Sequence, residues 1–187
     1  MKTFFIITIL VLTSAMAFGQ ANGKAPKPLT VYEKNIQGFS FHGLRLGSTF
    51  QDFTNTFSSY GHEVSNSNDA IGNEIYEVDG VDNVSVALFY FFNGTLYQIR
   101  LGYINDLLNS IGGADTLFDK LFKKFGVASK VTPDAPDSIY GEVYWYFDND
   151  RTVYANSSKN LFYVAFIYVS LMDKMEKALH DSDSVGF

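Results

Sequence analysis

The stretch VSVALFYFFNGTLYQIRLGY, residues 84–103, sets two runs of β-branched and aromatic residues on either side of Asn93-Gly94. Asn-Gly between two such runs is the strongest short-range sign of a β-hairpin, because a tight type I′ turn needs positive φ at both central positions. Side chains alternate along a strand, so Val84, Val86, Leu88, Tyr90 and Phe92 share one face of the first arm. Ser85, Ala87, Phe89 and Phe91 take the other, and neither side is plainly polar. In the second arm Tyr97, Ile99, Leu101 and Tyr103 oppose Gln98 and Arg100, which reads as one buried face and one wet face. The spacing predicts the central hairpin of an antiparallel sheet.

Working back toward the N-terminus, residues 73–78 read as a strand joined to the hairpin by the turn residues Asp79-Gly80 and Asp82-Asn83. The Asn/Ser-rich stretch 62–72 reads as a surface loop. Before it, Phe50, Phe53, Phe57 and Tyr60 recur at helical spacing, with Ser48 as N-cap, Gln51 as its capping-box partner and Gly61 as the stop. Residues 39–44 read as a short first strand.

Toward the C-terminus the same pattern returns. Gly112-Gly113 leads into a helix over 114–125, with Leu117, Phe118, Leu121, Phe122 and Phe125 on one side and Gly126 closing it. A Pro-containing loop (132–138) precedes strands at 140–147, 152–156 and 161–169. Ser170 and Asp173 then suit the first turn of a last helix, 170–180, and 181–187 reads as a tail.

A shift of 65 residues pairs Gly47 with Gly112, Phe53 with Phe118, Phe57 with Phe122 and Gly61 with Gly126. It also pairs Glu77-Val78 with Glu142-Val143, Leu96 with Leu161 and Tyr103 with Tyr168. These matches fall at helix caps, helix cores and strand starts, where a shared fold would keep them. The reading is an α+β fold: one antiparallel sheet from two tandem α-β-β-β units, 37–104 and 105–169, with helices on one face and a C-terminal helix. The step Leu46-Gly47-Ser48 into a helix that ends Tyr60-Gly61, followed by three strands, resembles the secreted β-lactamase inhibitor protein family. It is also similar to the outer-membrane assembly lipoproteins of the SmpA/OmlA type. The resemblance implies a protein-binding role without catalysis. The chain lacks the inhibitor's disulfides and the lipoproteins' acylated cysteine, so neither partner nor binding residues carry over.

Residues 1–19 carry one early lysine, an apolar run and the small-residue pattern Ala15-Met16-Ala17, the marks of a secretory signal peptide. Residues 20–36 read as a flexible linker. Export to the periplasm or beyond follows as the expectation, without a membrane anchor, because no cysteine is present to be acylated. Its absence also removes disulfides, thiolate nucleophiles and thiolate metal sites. Without Lys2 the chain holds 13 basic against 20 acidic side chains, 13 − 20 = −7, which opposes binding to nucleic acid.

No cofactor is expected. His42, His62 and His180 lie far apart in sequence and read as exposed and inert. No nucleophile elbow, Ser-x-x-Lys or phosphate-cradling loop occurs. Gly112-Gly113 reads as a plain helix start, not an anion site. Asp79-Gly80-Val81-Asp82-Asn83 and Asp148-Asn149-Asp150 read as turns, not calcium loops, since neither has the twelve-residue ligand order. The second unit instead has an excess of aromatics. Alternation puts Tyr144 and Tyr146 with Glu142 and Asp148 on one face and sends Trp145 to the core. If helices cover one side of the sheet, the other shows tyrosines with Gln98 and Arg100. Exposed aromatic patches of this kind mark interaction sites. The candidate binding residues are therefore Gln98, Arg100, Tyr144, Tyr146 and Tyr163, contacting a protein or peptide of the cell envelope. A small-ligand or carbohydrate carrier is the alternative, and a carboxylate-based hydrolase ranks last.

Overall fold

A computed structural model describes residues 30–60, 62–68, 71–132, 141–147, 149–158 and 161–184. The stretch read as a signal peptide, the linker up to residue 29, Tyr140, Asp148, most of the Pro-containing loop and the end of the tail lie outside them.

The hairpin read from Asn93-Gly94 is present. Both residues have positive φ, and they join β3 (Val86–Phe92) to β4 (Thr95–Ile104). Around this pair an eight-stranded sheet is built, antiparallel at every seam, in the order β1-β2-β3-β4-β8-β7-β6-β5. Its first half adds β1 (His62–Asn68) and β2 (Asn73–Asp79), and its second half β5 (Lys130–Thr132), β6 (Glu142–Phe147), β7 (Arg151–Ser158) and β8 (Leu161–Tyr168). Each unit thus carries an outer strand beyond the expected three. The stretch 62–72, expected as a loop, begins with β1, whose backbone pairs with β2 at the edge of the sheet.

Two central strands meet where the units meet. Arg100 on β4 faces Ala165 on β8, its own counterpart 65 residues on, so an approximate two-fold between the units passes through this pair. Beyond it the spacing slips by one. Leu88 faces Arg100 and Tyr154 faces Ala165, so β3 and β7 correspond at 66 residues. The extra residue is Tyr97, a bulge between the pairs Tyr90–Gln98 and Phe91–Leu96. The match of Leu96 with Leu161 is accordingly one residue out, and Leu96 corresponds to the buried Phe162.

The bulge also corrects the faces of β4. Leu96 must point inward opposite Phe91, and strict alternation would then carry Gln98 and Arg100 inward too. One unpaired residue resets the parity. Ile99 faces Phe89 in the core, while Tyr97 joins Gln98 and Arg100 on the opposite side, its ring 6.0 Å from that of Tyr90.

One face packs on α2 (Phe50–Thr56) and α4 (Gly113–Phe125), as the apolar stripes require. Phe53 and Phe118 are fully buried at matching positions, against Phe89 and Phe162 respectively. Phe57 is fully buried, whereas Phe122 is only partly so, against Trp145. Helix α2 starts a residue later than expected: Thr49 is the N-cap and Asp52 closes the capping box. The preceding chain is pinned to the hairpin tip by Leu96 N–H to Ser48 O, Phe50 N–H to Gly94 O and Gly47 N–H to Leu96 O. Residues 39–44 form a tight turn with a single bridge, Phe41 to Leu44, in place of a strand.

Two further helices were not expected, and the C-terminal helix is present as expected. The linker reading of 20–36 fails at its end, where α1 (Val31–Gln37) has a full Thr30/Glu33 capping box and buries Ile36. It sits on α4, where Asn35 Nδ2 donates to Lys124 O, and Gly126 is needed because a Cβ there would strike the Tyr32 ring. A short α3 (Asn105–Ser110) links the units. The last helix, α5 (Val169–Ser184), contacts β3, β4 and β8. It lies across the face opposite α2 and α4, so the helices do not all share one side.

Candidate functional site

Strand register lays residues of both units in rows across the face opposite α2 and α4. One row runs Lys130, Tyr144, Tyr154, Ala165, Arg100, Leu88 and Glu77, from β5 through to β2. The next row toward α5 holds Tyr146, Thr152, Ile167, Gln98 and Tyr90. The row on the other side holds Glu142, Asn156, Tyr163 and Gly102.

Helix α5 covers part of this surface. Gln98 is only 6% exposed, so it is not the contact residue expected of it. Tyr97 is buried beside it, and its pKa is raised by that burial first, then by neighbouring Tyr90 and by the Glu176 carboxylate of α5. The other four candidates stay partly accessible: Arg100, Tyr144 and Tyr163 are half-buried, and Tyr146 is 38% exposed.

These four are joined through Tyr154, a residue that sequence reasoning did not place among the binding candidates. Its ring centroid lies 4.7 Å from that of Tyr144 and 5.5 Å from that of Tyr163. Its hydroxyl is 2.8 Å from Glu142 Oε1, and Tyr144 OH is 3.2 Å from Oε2 of the same side chain. The Glu142 oxygens accept, so both tyrosines donate to them. The Tyr154 oxygen then accepts from Tyr163 OH at 3.0 Å and from Asn156 Nδ2 at 3.3 Å. Burial first, and the neighbouring hydroxyl and carboxylate next, push the Tyr154 and Tyr144 phenols well above the usual range. Tyr146 stacks on Tyr144 at 5.9 Å and 25°, and Lys130 Nζ sits 5.3 Å over the Tyr144 ring.

Arg100 closes the ribbon on the first unit's side. Its guanidinium lies between the rings of Tyr163, at 5.1 Å, and Tyr90, at 5.4 Å. The alternation Val153-Tyr154-Ala155 already marked Tyr154 as facing away from the core, and Tyr90 shared the face of Val86 and Leu88. What no strand by itself shows is that these residues meet.

A cleft of about 300 Å³ borders Tyr146, lined by Phe147, Asp150, Arg151, Thr152, Val169 and Asp173. Two carboxylates meet there, and burial followed by the Asp150 charge raises the Asp173 pKa. Asp150 is already engaged, since its Oδ1 accepts the Ser170 N–H at the start of α5. Turn chemistry thus accounts for it. Among the described residues no three His, Asp or Glu side chains gather at metal-binding distances. In the first unit, His42 is exposed as read, but it is not unengaged. His42 Nε2 lies 2.7 Å from Asp82 Oδ2, both residues having positive φ, and its ring packs on Phe41 and Phe57.

Fold and site define a mixed α+β protein with an antiparallel sheet, one face packed on helices and the other half-covered and rich in tyrosine. No protein-family model, no curated protein and no solved structure matches the chain.

Proposed function

We propose that this is an exported, non-catalytic binding module that docks a protein or peptide of the cell envelope on its tyrosine-rich sheet face. The observation that carries the reading is the ribbon Tyr146–Tyr144–Tyr154–Tyr163–Arg100, half accessible and held rigid by ring contacts and by Glu142. Tyrosine presents a large amphipathic surface with few rotatable bonds, and tyrosine and arginine are enriched where binding energy concentrates. Fixing the rings before contact lowers the entropy cost of association. The signal-like residues 1–19 support export, and the likeness to the inhibitor and lipoprotein families supports a binding role.

The test is affinity capture from an envelope fraction with the mature protein as bait, beside the variant Tyr146→Ala. One stoichiometric protein recovered by the wild type and lost by the variant supports the reading. Equal recovery by both sinks it. A second reading, a carbohydrate or small-ligand carrier, draws on the near-parallel Tyr144 and Tyr146 rings beside the 300 Å³ cleft. Recovery of glycan without protein would favour it.

A further inference from the structure

We infer that Arg100 is the receptor for a carboxylate side chain presented by the partner of this face, an inference that rests on reading the face as a docking surface. Arg100 sits at the middle of the sheet, where the two units meet. Opposite it on β8 stands Ala165, fully buried, whose single methyl leaves room for the guanidinium between the Tyr90 and Tyr163 rings. Among the described residues the Arg100 side chain donates no hydrogen bond and forms no ion pair, and its Nε is shielded from solvent without an acceptor.

A guanidinium carries five N–H donors, and ring walls that strip water from them without supplying acceptors leave a deficit. The other ring-bound cation of this row, Lys130, is exposed and can use water. A planar carboxylate matches the accessible edge of the Arg100 fork with two parallel bonds, and aromatic walls fix the plane in which it must approach. Glu142 and Glu77 on the same face, within a chain of formal net charge −6, favour a singly charged group over a doubly charged anion. The partner's segment thus sets an Asp or Glu over Arg100 and lays apolar surface on the Tyr163, Tyr144 and Tyr146 rings.

The test selects a displayed library of random linear peptides on the mature chain, then measures the affinity of enriched peptides. Enrichment of a fixed Asp or Glu among apolar residues is expected. Changing that residue to its amide should weaken binding to the wild type about tenfold or more. The same change should make little difference to Arg100→Gln, and Arg100→Lys should recover part of the preference. The amide change is made in the peptide, so it reads the folded wild type whatever Arg100→Gln does to stability. Peptides without a fixed acid, or an equal amide penalty with wild type and Arg100→Gln, overturn the role of Arg100 while leaving the docking face standing. No enrichment, or binding indifferent to Tyr146→Ala, overturns the docking face and this inference together.

Discussion

Phe57 and Phe122 hold matching places in the two units, yet only Phe57 is completely enclosed, touching Phe53, Phe41, Tyr60 and Phe89. Truncation to alanine should cost about 3–5 kcal/mol at Phe57, by lost transfer energy plus the cavity, and less at Phe122. Urea unfolding of the two variants checks the order. Tyr154 is the hub of the hydroxyl chain, donating one bond and accepting two. Tyr154→Phe strands the donors of Tyr163 and Asn156 and should cost about 1–3 kcal/mol in the same measurement. The phenols also predict an alkaline limit. Tyr90, Tyr97, Tyr103, Tyr144, Tyr146 and Tyr154 are all raised above the ordinary tyrosine value, chiefly by burial. A folded-state pKa above the unfolded one gives stability that is complete below the unfolded pKa, near 10, and is lost as pH rises through the folded value. Absorbance titration near 295 nm should therefore show these six resisting ionisation above pH ~10 until the chain unfolds. Smooth ionisation of all of them near pH 10 in folded protein would contradict the burial described.

At the scale of the element, α5 is the helix least committed to the core. Among its described side chains only Met175 is buried, while Leu171, Met172, Ala178 and Leu179 are half-covered. Its Glu176 carboxylate is raised by burial first and the Asp173 charge second. Charging Glu176 therefore opposes docking: its contribution is complete below the unfolded carboxylate value and is lost as pH rises through the folded one. Glu176→Gln should hold α5 down at neutral pH, slowing amide exchange at the underlying Tyr97 and Gln98. Faster exchange in that variant would contradict the assignment. The contrast with α2 is instructive. Its Asp52 is lowered, chiefly by the Thr49 backbone N–H and then by the Thr49 hydroxyl. Its stabilising share is present above the unfolded pKa and is lost as pH falls through the folded one. Helix position was legible in the spacing of phenylalanines, because a stripe at three and four residues has few other uses. The short α1 and α3 were not legible. Their sequences, VYEKNIQ and NDLLNS, carry no such stripe, and helices this short owe their existence to tertiary contacts.

For the whole molecule, the seam between β4 and β8 makes the two units interdependent. Ile99 faces Phe166 and Leu101 faces Val164 across it, all of them buried. Neither unit alone covers these side chains. Fragments 30–104 and 105–184 should each lack a cooperative unfolding transition and regain one when mixed, as followed by circular dichroism; independent folding of either would show the seam to be dispensable. The sequence by itself determined the hairpin, the two phenylalanine stripes and the 65-residue recurrence, because each rests on local periodicity or on turn residues that only positive φ can use. It also marked Arg100, Tyr144, Tyr146 and Tyr163 as facing away from the core, since alternation is a property of single strands. Tertiary structure alone decided that these residues form one surface. Arg100 and Tyr154 lie far apart in the chain, and only the pairing of β4 with β8 and of β8 with β7 sets them in one row. It likewise decided that Gln98 is buried, because the docking of α5 onto β4 is a contact between segments far apart in the chain, which no pattern within either segment encodes.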